Sequence, residues 1–239
     1  MKKAGPLVYG IISQIIGLGS LVYFGFWVYR AGVPKTVDSG NPGNPVVAFA
    51  VDTFLLAFFC FMHSILARSS VKSWMRRYVP HLYERATYCL FFGVLLLATC
   101  FAWRPLPAVV WHITSPGAVA AMVTIFALGW IVHFGSLFWM GYAEFFGLRQ
   151  VWLAARGEEY YPPAPMTRRD FAISHILLIV SLMWIPFFTP KMSVGQLYYA
   201  SFFALYDILG AWLSARDLSD VPAPVANETV VRSEVLQHP

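Results

Sequence analysis

The chain has 239 residues, of which 58% are hydrophobic and only 12% charged. That is more apolar surface than a soluble core of this size can hide, which excludes an ordinary water-soluble globule and points to a bilayer. The formal charge of +5 sorts by loop instead of clustering on one water-facing surface, so it does not point to a nucleic-acid partner.

Met1-Lys2-Lys3 leads into a first apolar run, Leu7 to Tyr29, which is long and lacks a small-residue cleavage site. It is expected to be retained as a membrane helix and not removed as a signal peptide. Five further apolar runs follow: Val46 to Ala67, Ala86 to Trp103, Gly117 to Met140, Ala172 to Phe188 and Gly195 to Leu213. Each run has roughly the 17 to 24 residues that a helix needs to cross ~30 Å of hydrocarbon. The predicted fold class is therefore all-α: an integral membrane bundle of about six transmembrane helices. Pro186, near the end of the fifth run, favours a kink or a re-entrant path there.

Of the connections, Val33 to Pro45 is rich in Gly, Asn and Pro and reads as a structural turn, while Trp103 and Trp111 with their neighbouring prolines suit an interfacial aromatic belt. Residues 219 to 239 are polar with no helical stripe. They are expected to form a poorly ordered tail behind a single domain spanning 1 to 218. Cys60, Cys89 and Cys100 lie inside apolar runs, and their odd number reads as small buried side chains.

Lysine and arginine orient the bundle. Lys2 and Lys3, then Arg68, Lys72, Arg76, Arg77 and Arg85, then Arg149, Arg156, Arg168 and Arg169, and finally Arg216 and Arg232 fall on one side. The opposite side has Arg30, Lys35, Arg104 and Lys191. By the positive-inside rule the larger set faces the cytoplasm, with both termini inside. That face also collects the chemistry-bearing side chains. The basic, Trp-bearing stretch from Ser70 to Tyr78 suits an interfacial helix drawn to anionic lipid. Glu84 and Arg85 suit pairing with neighbours at headgroup depth. The loop from Glu144 to Trp152, with Arg149, Gln150 and the later Tyr160, combines a carboxylate, aromatic faces and cations, as a charged aromatic ligand requires.

Ionisable groups within the spans mark helix ties or polar paths. Asp52 and His63 lie about three turns apart and project from nearly the same face of one helix. His133 and Asp207 sit well inside the fourth and sixth runs. His63, His133 and His175 are too scattered to form a ligand set, and no metal is expected.

Several stretches together carry a family resemblance. They are Val33-Pro34-Lys35-Thr36-Val37-Asp38-Ser39-Gly40, Met62-His63-Ser64 with Ala67-Arg68, Pro80 with Glu84-Arg85-Ala86-Thr87-Tyr88, Trp103-Arg104-Pro105 with Val109-Val110-Trp111, and Glu144-Phe145-Phe146-Gly147-Leu148-Arg149-Gln150-Val151-Trp152. This pattern, from about Leu7 to Leu218, resembles the bacterial methanethiol S-methyltransferases, which group with NnrU-like proteins and the isoprenylcysteine carboxyl methyltransferase superfamily. The resemblance implies methyl transfer from S-adenosylmethionine to a small thiol such as methanethiol, giving dimethyl sulfide, in the inner membrane of a bacterium.

It also implies His175 as the catalytic candidate. Glu144, Arg149, Gln150, Tyr160, Arg168, Arg169 and Arg216 become the candidates for holding the cofactor, with His63, Arg68, Glu84 and Arg85 as further candidates; Asp207 is another, which departs from the apolar residue of the family pattern and suits contact with a partner helix. The chain departs from the superfamily pattern at Ser174-His175-Ile176, where only the His of an Arg-His-Pro motif remains. It departs again at Ser214-Ala215-Arg216, where two carboxylates are absent, and at Gly141-Tyr142, where Asn-His is expected. These departures leave open an alternative, a catalytically inactive relative acting as a subunit or scaffold beside another membrane protein.

Overall fold

Asn44 and Pro45 show how local sequence sets the helix ends. The Asn44 side chain accepts hydrogen bonds from Val46 N at 2.9 Å and Val47 N at 3.3 Å, and Pro45 occupies the first helical position, where no N–H is needed. The computed structural model describes residues 4–161 and 168–219. Helices account for most of them: α1 (Ala4–Tyr29), α2 (Pro45–Ala67), α3 (Ser69–Met75), α4 (Glu84–Ala102), α5 (Pro116–Trp139), α6 (Tyr142–Phe145), α7 (Leu148–Arg156), α8 (Arg168–Trp184) and α9 (Val194–Ser219). Short 3-10 turns lie at His81–Tyr83 and Ile185–Phe187, and two strands, β1 (Val109–His112) and β2 (Lys191–Ser193), complete the elements among the described residues.

Among the described residues four helices are long and apolar enough to cross a membrane: Ala4–Tyr29, Pro45–Leu66, His81–Ala102 and Pro116–Trp139. They coincide with the first four apolar runs. The fifth run is the 17-residue α8, whose apolar part runs through Phe187 and tightens into the 3-10 turn at Pro186. Proline accounts for that break, because its ring clashes with the carbonyl four residues back and it has no N–H to donate. The sixth run lies in α9. The chain divides into two compact units, Met1–Phe203 and Ala204–Pro239. Asp207 is half-buried in α9 within the second unit; of the expected tail, residues 219–239, Ser219 is the last residue of α9 and 220–239 lie outside the described residues.

Within the first unit α1 packs most closely on α4. The approach is so near that a Cβ on Gly93 would sit 2.7 Å from the Ile16 carbonyl oxygen. In lipid, where apolar side chains gain little by leaving the surroundings, such small-residue contacts let van der Waals packing hold helices together. α2 also packs on α4, and α5 packs on α8.

At the end where α1 finishes, the connections form a polar clasp. Arg30 pairs with Asp38 at 2.5 Å and donates to the Lys191 carbonyl at 2.8 Å. β1 and β2 run antiparallel, with Trp111 opposite Met192 and His112 opposite Lys191. Lys35 Nζ donates to the carbonyls of Phe101 and Trp103. Asp52, fully buried, accepts from the Arg104 amide at 2.9 Å and so ties α2 to the exit of α4. Trp103 does not serve as an interfacial anchor. It is 1% exposed, with its ring edge-on to Trp27 at 5.5 Å, because Tyr199 and Trp27 close over it.

Candidate functional site

At the opposite end, where α1 begins, the chain between α5 and α8 is cut into short helices by glycines of positive φ: Gly141, Gly147 and Gly157. Gly147 is required twice over. Its φ is +81°, and a Cβ there would sit 2.6 Å from the Ala86 backbone nitrogen, so only glycine lets the α6–α7 corner rest on the start of α4. A second anchor comes from α1. Gln14, 7% exposed inside an apolar helix, donates its amide N–H to the Phe146 carbonyl at 2.8 Å, and its oxygen accepts from the Tyr142 hydroxyl at 2.7 Å. One side chain thus grips the chain on both sides of Glu144.

Glu144 is the hub. Its carboxylate accepts from the Tyr160 hydroxyl, from Gln150 Nε2 at 2.6 Å and from Arg149 at 3.3 Å, and it lies 3.5 Å from Arg85. Arg85 also donates to the Glu144 backbone carbonyl at 2.7 Å. The Arg149 guanidinium lies 5.8 Å from the centre of the Tyr160 ring, and the centre of the His81 ring lies 6.1 Å from it. Burial, followed by the hydrogen bond to Glu144, pushes the Tyr160 phenol above its ordinary pKa of 10.0, so it remains a donor at neutral pH.

Two guanidiniums face one carboxylate, so the cluster keeps an excess positive charge. Arg85 and Arg149 stay about half exposed, at 49% and 43%, and Gln150 Oε1 is buried without a hydrogen-bond partner. What the cluster offers outward is therefore cationic N–H groups and an aromatic face, while one acceptor, Gln150 Oε1, is left over inside. The carboxylate itself is taken up by the chain's own cations.

The fold thus brings together Glu144, Arg149, Gln150 and Tyr160 and adds Arg85. Glu84 lies apart, paired with Arg76 at 2.6 Å. His63 sits between α2 and α4 with Nδ1 3.0 Å from the Tyr88 hydroxyl, and Arg68 is exposed between α2 and α3. Arg169 is exposed at the start of α8. His175 and Arg168 are on α8 and Arg216 is on α9, but these three side chains lie outside the described residues. Among the described residues no group of three or more His, Cys, Asp or Glu comes together to hold a metal. Sequence reasoning passed over Gln14 and His81. Gln14 carried a signal, an amide within an apolar run, whereas His81 carried none.

No family model matches the chain, and no solved structure matches it. Curated proteins do. The chain is 32% identical to methanethiol S-methyltransferase 1 of Bradyrhizobium diazoefficiens across 90% of its own length and 75% of that protein's. It is 35% identical to the methanethiol S-methyltransferase of Mycobacterium tuberculosis across 91% and 89%. It is also 30% identical to nurim of Bos taurus, across 87% of each.

Proposed function

The chain belongs to the methanethiol S-methyltransferase family, and from that premise we propose that it methylates a small thiol such as methanethiol within the membrane, giving a thioether. The observation that carries this is similarity over nine-tenths of the chain, which spans every element of the Glu144 cluster. Bound S-adenosylmethionine supplies an electrophilic methyl group on a sulfonium.

The residues fit such a donor. The half-exposed guanidiniums of Arg85 and Arg149 suit its carboxylate, the unpartnered Gln150 oxygen suits an N–H group, and the Tyr160 ring offers an apolar face. Glu144 holds the two guanidiniums in place and keeps them from swinging into water. Arg169 at the start of α8, with Arg168 beside it in sequence, would add positive charge for the donor, and His175, retained from the superfamily motif, is the proposed catalytic residue. Positioning of the two reactants and exclusion of water supply the acceleration. An apolar thiol reaches such a site from the bilayer.

The topology we assign is six helices with both termini in the cytoplasm of a bacterial inner membrane, with residues 1–218 as one methyltransferase-like domain and 219–239 as its tail. Two features support it: the sorting of Lys and Arg by loop, and the meeting of Arg85 with Glu144, which unites the second and fourth loops at one end.

Purified protein in detergent, given S-adenosylmethionine and methanethiol, should release dimethyl sulfide. Arg149→Ala should raise KM for the donor about 10- to 100-fold, since hydrogen bonds to charged groups contribute ~1.5 to 3 kcal/mol. His175→Ala should lower kcat. Thioether formation no faster than in protein-free buffer would remove the proposal.

A further inference from the structure

We infer that His81 accepts the proton of the acceptor thiol. This deepens the methyl-transfer proposal and rests on it. A neutral alkyl thiol is a poor nucleophile and its thiolate a good one, so a group able to take a proton near neutral pH must stand at the site. Imidazole is the side chain suited to that.

Of the other histidines with described side chains, two are held by partners and one lies away from the cluster. His63 has Nδ1 on the Tyr88 hydroxyl and its ring stacked on Phe59. His133 is 2% exposed with Nδ1 on Ser181. His112 lies in β1, in the clasp at the other end of the bundle. His112 is exposed as well, but among the described residues His81 is the exposed histidine at the end that carries the cluster: a proton it takes can pass on to water, and its ring centre lies 6.1 Å from that of Tyr160.

The 3-10 turn that carries His81 is well anchored. It packs against α7, which bears Arg149 and Gln150, and Tyr83 at its end meets Tyr9 of α1 edge-on at 5.6 Å. The groups around His81 are Tyr160, with ring centres 6.1 Å apart, Glu144 with its two arginines beyond the phenol, and the Arg76–Glu84 pair on the flanking chain.

The step balances. The thiol proton passes to an imidazole nitrogen. A sulfur lone pair of the resulting thiolate forms the new S–C bond as the sulfonium's C–S bond breaks, and that electron pair stays on the donor's sulfur. The imidazolium then returns its proton to water.

The test compares wild type, H81Q and His175→Ala with two acceptors: methanethiol, and thiophenol, an arenethiol already largely ionised near neutral pH. With methanethiol at pH 7, H81Q should lose on the order of 100-fold in kcat/KM. With thiophenol it should stay within about twofold, while calorimetry shows S-adenosylmethionine bound as in wild type. His175→Ala, at the proposed catalytic residue, should lose with both acceptors. Raising the pH should restore H81Q progressively, as methanethiol ionises unaided. In 15N-histidine NMR, the ring signal lost in H81Q should shift when methanethiol is added to wild type saturated with S-adenosylhomocysteine. Equal losses with both thiols, no loss with either, or an unmoved ring signal would overturn the role of His81 while leaving the enzyme intact. A wild type inactive with both thiols would overturn the methyl-transfer proposal itself.

Discussion

Glu144 illustrates how far single residues could be read. Its place in an aromatic and basic loop marked it as a site residue, and the structure does gather Arg149, Gln150 and Tyr160 around it. Its use was not legible, because which cations neutralise a carboxylate depends on side chains brought from elsewhere, here Arg85 from 59 positions away. Glu144→Gln should leave Arg85 and Arg149 without a counter-charge. Because both are partly solvent-screened, the expected loss is about 1 to 2 kcal/mol, seen as a lower unfolding temperature in detergent. Gln14→Leu suits the bilayer but strands the Phe146 carbonyl and the Tyr142 hydroxyl. Membrane insertion should be unchanged while donor affinity by calorimetry weakens roughly tenfold, equivalent to ~1.4 kcal/mol. Unaltered affinity would mean that Gln14 does not position the site. Tyr160 adds a pH dependence. Its phenol is raised above the usual 10.0, so the stabilisation from its protonated form is fully present below that pH and fades as pH rises through the higher folded value. Tyr160→Phe should abolish that alkaline component of the unfolding profile.

At the level of elements, run length and apolar character were enough for α1, α2, α4 and α5, since spanning a bilayer is a local property of about twenty consecutive residues. The short elements were harder. α6 and α7 are set by left-handed glycines and by the α4 surface beneath them. β1 and β2 pair across some eighty positions, a register that no local pattern announces. Gly147→Ala tests the corner directly. It imposes a strained φ and a Cβ against the Ala86 nitrogen, so it should cost about 2 kcal/mol or more and release the α6–α7 segment to limited proteolysis, with the long helices still in place. Cleavage no faster than in wild type would show that the corner adapts.

For the whole molecule, the sorting of Lys and Arg by loop supports the proposed orientation and gives it a direct test. Arg169→Cys should react with an impermeant maleimide only in inverted vesicles, and Lys191→Cys only from the outside of intact cells; the opposite pattern would reverse the topology and move the Glu144 cluster to the wrong side for a cytoplasmic donor. The sequence by itself determined that this is a membrane protein built of apolar helices and which family it belongs to. Hydrocarbon matching and motif order are written along the chain and need no folding to be read. Only the tertiary structure decided that Glu144 is spent on its own arginines, that Gln14 holds the loop, that Trp103 is core, and that His81 stands beside Tyr160. Each of these depends on which side chains from distant segments meet and on which polar groups are left over once they have met, and pairing among buried polar groups is settled only when the whole set is in place.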